Sequence, residues 1–143
     1  MEIKHLTSGL SVAAQVTTAD LQAIKDQGFK AVICNRPDGE GADQPTFVEL
    51  EKAAKKLGIA MHYMPVKPGI ILDPDIDAFR AALTALPGPV LGFCRTGMRT
   101  TTLWSLSQGR TADLAQILAV TKAAGFDMGG VVRRIANGGT TPT

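Results

Sequence analysis

Residues 90–104 read Val-Leu-Gly-Phe-Cys-Arg-Thr-Gly-Met-Arg-Thr-Thr-Thr-Leu-Trp. The stretch begins as a short apolar run, passes through a loop with a glycine and two arginines, and continues in residues that suit a helix. This pattern predicts a buried strand, a tight turn and a helix in immediate succession, with Cys94 where the strand ends. We expect the rest of the chain to be arranged around this turn.

The turn after Cys94 combines a nucleophile with a site for an anion. Backbone N–H groups at the start of a helix and the positive end of the helix dipole both favour a thiolate or a bound anion. Arg95 and Arg99 add two permanent positive charges. A lone cysteine is more often a small core residue, but cysteines beside such charges are reactive. We therefore predict that Cys94 is the catalytic nucleophile and that Arg99 holds the substrate anion.

Neighbouring residues of the same loop are predicted to bind the substrate. Gly97 allows a tight turn and leaves room for an approaching anion. Thr100 or Thr101 is expected to donate its hydroxyl to the thiolate or to cap the helix. The predicted substrate-binding residues are Arg95, Thr96, Gly97, Met98 and Thr100, together with Arg36 from a second loop.

That second loop, residues 35–41, reads Asn-Arg-Pro-Asp-Gly-Glu-Gly and follows an apolar run typical of a buried parallel strand. Because ligands bind beyond the carboxyl ends of parallel strands, we expect it to face the predicted nucleophile. Asp38 is the candidate catalytic acid, although an aspartate before glycine in a turn more often binds its local backbone. Arg36 either extends the anion site or pairs with Asp38 or Glu40.

Strands and helices alternate along the remaining sequence. Residues 3–15 are expected to form a short edge strand and a turn, and a further strand is expected within residues 59–66. Capping residues predict helix starts at Thr17, Thr46, Asp73 and Thr111, followed by a last short helix over residues 128–136. The alternation predicts an α/β fold with a mostly parallel central sheet covered by helices on both faces.

The composition fits one domain in a reducing compartment. The chain has 143 residues, of which 45% are hydrophobic, and a net charge of +2. We predict one domain over residues 1–137 and a linker-like tail over 138–143, as in a module of a longer protein. Spread-out basic residues do not favour nucleic-acid binding, and the sequence has no apolar stretch of about 18 residues for a membrane span. The two cysteines and the N-terminal sequence favour the cytoplasm.

The predicted chemistry needs neither a metal nor a cofactor. His5 and His62 lie far apart in the sequence and have no cysteine or carboxylate at ligand spacing. Cys34 lies in a predicted buried strand and is expected to fill the core. It would form a disulfide with Cys94 only if the two strand ends were neighbours.

The Cys94 loop resembles the catalytic loops of two enzyme families. Protein tyrosine and dual-specificity phosphatases use Cys-x5-Arg with a glycine three residues after the cysteine; here Arg99 comes one residue early and Phe93 replaces the usual histidine. Rhodanese-type sulfurtransferases often read Cys-Arg-Ser-Gly-x-Arg-Ser, which residues 94–100 match almost position by position. The shorter ring of N–H donors is expected to suit a persulfide sulfur better than a phosphate.

A wider resemblance covers nearly the whole chain. Residues 10–15, 28–40 and the Cys94 loop are similar to the phosphatase-like domain of beta-lactamase hydrolase-like proteins. The resemblance implies a dual-specificity-phosphatase-like fold, in a family whose members are labelled phosphatase-like or sulfurtransferase. Some members are fused or linked to a persulfide dioxygenase or a sulfide-quinone oxidoreductase, which the resemblance implies as candidate partners.

On the sequence alone we favour a sulfurtransferase. A persulfide at Cys94 would move sulfane sulfur from thiosulfate or a persulfide to a glutathione-like thiol. In dual-specificity phosphatases an acid usually follows the strand before the catalytic one, whereas here Lys67 follows residues 64–66. A missing acid matters less for sulfur transfer, because sulfite or a thiolate leaves without a proton. The alternative is a phosphatase that forms a phosphocysteine at Cys94, with Arg99 on the phosphoryl oxygens and Asp38 as the acid. A third hypothesis is a non-catalytic module that binds an anion or a partner.

Overall fold

A computed structural model describes residues 1–109 and 113–138. Within these residues, one sheet is built from β1 Ile3–His5, β2 Leu10–Ala13, β3 Ala31–Cys34, β4 Ala60–Tyr63 and β5 Val90–Phe93. The strand order is β1-β2-β5-β3-β4, and every neighbouring pair is parallel except β1 with β2. The mostly parallel sheet expected from the sequence is confirmed.

Helices connect the strands and continue after β5. In the described residues they are α1 Leu21–Asp26, α2 Phe47–Lys56, α3 Asp73–Ala85, α4 Met98–Ser107, α5 Leu114–Ala123 and α6 Gly129–Ala136. A single 3-10 turn, Thr18–Asp20, precedes α1. No helix among them is long and apolar enough to cross a bilayer.

Two hydrophobic cores lie on opposite faces of the sheet. Along β3, Val32 faces the core that includes α1 and α2, whereas Ile33 faces the core that includes α3, α4, α5 and α6. Along β5, Leu91 faces the same core as Val32, and Val90 faces the same core as Ile33. Because successive side chains of a strand point to opposite faces, central strands that are apolar at every position require helices on both sides. The predicted covering of both faces is confirmed.

The N-terminal segment differs from its prediction. Residues 3–15 form two strands rather than one, and β2 is an internal, fully buried strand between β1 and β5. Its polar residue, Ser11, is accommodated because its hydroxyl is hydrogen-bonded to Nδ1 of His5 at 2.6 Å. Small polar residues suggested an edge, but a cross-strand partner allows one of them inside the sheet.

The predicted helix starts are partly confirmed. Thr46 caps α2, since its hydroxyl accepts a hydrogen bond from the Glu49 N–H at 3.2 Å. Asp113 caps α5 in the same way. The start expected at Thr111 lies outside the described residues, and so does the predicted tail apart from Gly138.

Candidate active site

Cys94 lies where β5 ends, and α4 begins four residues later. Gly97 occupies the N-cap position of α4 with a φ of 95°, a conformation that favours glycine. Its backbone N–H donates to the Cys94 sulfur at 3.1 Å. A Cβ on Gly97 would also come within 3.0 Å of the Phe126 ring. The predicted strand, turn and helix are therefore confirmed, and the turn directs a backbone donor at the sulfur.

Arg99 is held rigidly beside this turn. Its Nη1 and Nη2 atoms donate to the two carboxylate oxygens of Glu40, each at 2.8 Å. Nη1 also donates to the carbonyl of Val66 at 2.9 Å. The Arg99 side chain is only 8% exposed, whereas that of Glu40 is 23% exposed. A bidentate pair of this kind fixes the plane of the guanidinium as well as its position.

Glu40 is the centre of a larger network. Arg36, which is buried, donates from Nε to a Glu40 oxygen at 3.1 Å and from Nη1 to the Gln15 side chain at 2.9 Å. One carboxylate thus binds two arginines, which leaves a net positive charge among the three groups. The loop of residues 35–41 faces the Cys94 loop as expected.

The charges in this network stabilise one another. Hydrogen bonds from Arg99 hold the pKa of Glu40 below its usual range. Burial alone would lower the pKa of Arg99, but the hydrogen bonds to Glu40 and the nearby Cys94 sulfur outweigh burial and raise it. Arg99 therefore stays charged and interacts favourably with a thiolate at Cys94.

Sequence reasoning missed Glu40 as a site residue. It was considered only as a partner for Arg36, yet it is the group that orients Arg99. The signal was present, because Glu40 lies in the loop that the sequence places opposite the Cys94 loop, and a buried arginine needs a charged partner.

Thr100 does not make the contact expected of it. Its hydroxyl donates to Oδ1 of Asn35 at 2.8 Å, and its side chain is fully buried. It neither caps α4 nor binds the Cys94 sulfur. The methyl group of Thr100 packs where a side chain on Gly92 would lie, so Gly92 allows α4 to approach β5 closely. Thr100 joins α4 to the end of β3, and its contact with substrate stays a prediction.

Asp38 binds a backbone N–H, but one in α2 rather than in its own turn. Its Oδ1 accepts the N–H of Phe47, the first residue of α2, at 2.9 Å. Its own N–H donates to the Tyr63 hydroxyl at 2.9 Å. The carboxylate therefore stabilises a helix start. A catalytic role for Asp38 stays a prediction.

Three predicted binding residues form the rim of a cavity. Arg95, Thr96 and Met98 are exposed and line a cavity of about 340 Å³ that also reaches Arg99. Arg36, in contrast, lies beneath the rim in the Glu40 network. The structure brings the predicted residues of the Cys94 loop together, and their contacts with a substrate stay predictions. Among the described residues, no group of three His, Cys, Asp or Glu side chains is arranged to hold a metal.

Cys34 lies next to the active-site strand. It pairs in register with Phe93, so the two strand ends are neighbours, and both cysteines are free thiols. Cys34 donates to the carbonyl of Arg36 at 3.3 Å, and burial raises the pKa of its thiol from 9.0 to about 11. It fills the core as predicted.

This pKa shift predicts a loss of stability at alkaline pH. A raised pKa means that the unfolded chain ionises first, so stability is complete below pH 9.0 and is lost as the pH rises towards 11. At about pH 10.5 the loss due to Cys34 should be about 2 kcal/mol. Urea unfolding of the natural chain and of Cys34→Ala, at pH 8 and pH 10.5, measures it. An equal loss in both proteins would contradict the assignment to Cys34.

Comparison with known proteins places the chain in a family. The model for the phosphatase-like domain of beta-lactamase hydrolase-like proteins matches residues 2–111. The chain belongs to this family. The beta-lactamase hydrolase-like protein of Xylella fastidiosa is 31% identical over 134 residues, which cover 92% of this chain and 31% of that protein. The phosphatase-like domain therefore spans less than a third of the length of this curated relative.

Solved structures confirm the fold. A Neisseria meningitidis protein with a provisional phosphatase description superposes with a TM-score of 0.87 and 32% identity, covering 96% of this chain and 98% of that one. The core catalytic domain of a PP-IP phosphatase from S. cerevisiae gives a TM-score of 0.71 at 14% identity, over 93% of this chain and 82% of that one. The second likeness shows a shared fold alone. Together the comparisons support a phosphatase-like, cysteine-based protein, and none supports the sulfurtransferase favoured from the sequence.

Proposed function

We propose that this phosphatase-like domain is a cysteine-dependent phosphatase that forms a phosphocysteine at Cys94. The observation that carries the proposal is the orientation of Arg99. A guanidinium has five N–H donors, and three of those of Arg99 donate to Glu40 and the Val66 carbonyl. The two that remain, Nε–H and the second N–H of Nη2, share one edge of the guanidinium, and the Cys94 sulfur lies close enough to Arg99 to interact with it. Such a fork matches two oxygens of one phosphoryl group.

This geometry favours phosphate over a persulfide. The fork supplies two parallel donors, whereas a persulfide presents a single terminal sulfur to them. The Gly97 N–H donates to the Cys94 sulfur and so stabilises the thiolate. Two parallel donors on Arg99 suit the charge that spreads over phosphoryl oxygens during transfer.

The reaction then proceeds in two steps. The Cys94 thiolate attacks phosphorus, so an S–P bond forms while the bond to the leaving oxygen breaks and its electron pair stays on that oxygen. Water then attacks phosphorus, the S–P bond breaks, and inorganic phosphate leaves as the thiolate is restored. Arg99 and the loop N–H groups hold the phosphoryl oxygens in both steps.

One side-by-side assay tests the proposal against sulfur transfer. We expect hydrolysis of p-nitrophenyl phosphate to exceed turnover of thiosulfate on the same preparation, to be inhibited by vanadate, and to disappear in Cys94→Ser. Mass spectrometry after thiosulfate treatment is the second measurement. A stable added sulfur on the Cys94 peptide, with no phosphate release, would favour the sulfurtransferase. The predicted thiosulfate donor, glutathione-like acceptor, persulfide dioxygenase and sulfide-quinone oxidoreductase depend on that outcome.

A further inference from the structure

The carboxylates near the Cys94 loop are already engaged. Asp38 accepts the first N–H of α2, and Glu40 binds two arginines. Asp75 accepts the N–H of Leu72 at the start of α3 at 2.9 Å. Residues 64–72, which join β4 to α3, contain no Asp or Glu. Each of these three carboxylates therefore has a structural partner that a role as the acid would disturb.

The connection between β4 and α3 contains a lysine instead. Lys67 is exposed, and its carbonyl accepts the Ile70 N–H at 3.1 Å in a tight turn. An alkoxide leaving group needs a proton, and a lysine is a poor donor near neutral pH because its ordinary pKa is about 10.4. A leaving group that departs as a stable anion needs no proton.

The cavity beside Arg99 opens into a longer groove. A second cavity, of about 580 Å³, lies against α6 and shares Gly69, Met98, Thr102 and Arg134 with the first. Because four lining residues are common to both, the two cavities form one groove, here called the α6 groove, that leads away from the Cys94 loop.

The α6 groove carries excess positive charge. Arg95 lines the cavity beside Arg99, Arg134 lines both cavities, and Arg133 lines the cavity against α6. Arg134 pairs with Asp73 at 3.4 Å, whereas neither Arg95 nor Arg133 is in an ion pair among the described residues. Asp127 also lines the groove, and its Oδ1 accepts the Gly129 N–H at 3.0 Å. A second anionic group of the substrate would meet more positive than negative charge there.

We propose that the substrate is a phosphoanhydride, whose terminal phosphoryl group sits at Cys94 and whose leaving phosphate lies beside Arg95, where the α6 groove begins. The inference rests on the proposed phosphatase function and names its substrate class. The engaged carboxylates favour a leaving group that departs without a proton, and the positive charge of the α6 groove favours one that is an anion. A phosphate meets both conditions, since its second pKa is about 6.

The chemical step balances without an added acid. The thiolate of Cys94 attacks the terminal phosphorus, an S–P bond forms, and the bridging P–O bond breaks. The electron pair stays on the bridging oxygen, which now belongs to the leaving phosphate. Water hydrolyses the phosphocysteine, and its proton passes to the released phosphate.

The test compares substrates that differ in leaving group. Inorganic pyrophosphate, inorganic triphosphate and ADP are the anhydrides, glycerol phosphate is the alkyl ester, and p-nitrophenyl phosphate reports Cys94 chemistry independently. EDTA suppresses metal-dependent contaminants, and Cys94→Ser gives the background. We expect at least one anhydride to be cleaved more than about tenfold faster than glycerol phosphate, because only the ester requires protonation.

A variant tests the groove. Arg95→Gln should lower kcat/KM for the anhydride about tenfold more than for p-nitrophenyl phosphate, since one charge-assisted contact to the leaving phosphate is lost. Lys52→Gln, an exposed change on α2 across the sheet, should leave kcat/KM unchanged for both substrates. Thermal unfolding of both variants shows whether the fold is kept.

The outcomes separate the inference from the function beneath it. No Cys94-dependent hydrolysis of any phosphate would overturn the phosphatase itself. Hydrolysis of p-nitrophenyl phosphate with all three anhydrides no faster than glycerol phosphate would overturn only the substrate class. An Arg95→Gln loss equal for both substrates would overturn the place given to the leaving phosphate. A large loss of ester hydrolysis in Asp38→Asn would also overturn the substrate class, because it would identify Asp38 as an acid.

Discussion

Replacing Cys94 by Ser should lower hydrolysis of p-nitrophenyl phosphate at least about a thousandfold while leaving the fold intact. The serine hydroxyl is a far weaker nucleophile at neutral pH than a thiolate that receives the Gly97 N–H and lies beside Arg99. The substitution is nearly isosteric, and Cys94 is only 1% exposed, so the packing around it changes little.

Steady-state kinetics measures the loss, and acid quench with labelled phosphate measures the phosphocysteine directly. The matched control is Cys34→Ala, which removes the other thiol of the same sheet and should keep the phosphocysteine. Retention of more than about a tenth of the natural activity by Cys94→Ser would remove the nucleophile from the mechanism.

The second large effect is expected for Arg99→Lys, with a loss of about a hundredfold or more in kcat/KM. A lysine keeps the charge but lacks the planar fork, so it cannot bind the Glu40 carboxylate bidentately and two phosphoryl oxygens at the same time. The free energy of unfolding should also fall, by about 1–3 kcal/mol, because Glu40 and the Val66 carbonyl lose well-aligned donors.

A double-mutant cycle shows whether Glu40 acts through Arg99. Glu40→Gln alone should reduce kcat/KM about tenfold, since the guanidinium loses its charged partner but keeps its donors. In the Arg99→Lys background the same change should cost much less, because the fork that Glu40 positions is already absent. Additive losses would mean that Glu40 serves the site by another route.

The sequence by itself determined the parts of this protein that depend on neighbouring residues. The strand ending at Cys94, the turn at Gly97 and the capped start of α2 at Thr46 all follow from local hydrophobic pattern, glycine placement and side-chain hydrogen bonds within three residues. The alternation of strands and helices predicted the class of fold for the same reason. The family resemblance added the dual-specificity-phosphatase-like form.

Only the tertiary structure decided how the distant parts combine. The order β2-β5-β3 brings the loop after β3 beside the Cys94 loop, and this places Glu40 on Arg99 across 59 positions of sequence. The same proximity lets the Thr100 hydroxyl donate to the Asn35 side chain. Loop length in the sequence suggested sulfur chemistry, but it could not show which donors of Arg99 were already occupied. That orientation depends on a carboxylate delivered by another strand, because a long arginine side chain takes its direction from the partners that the folded chain provides.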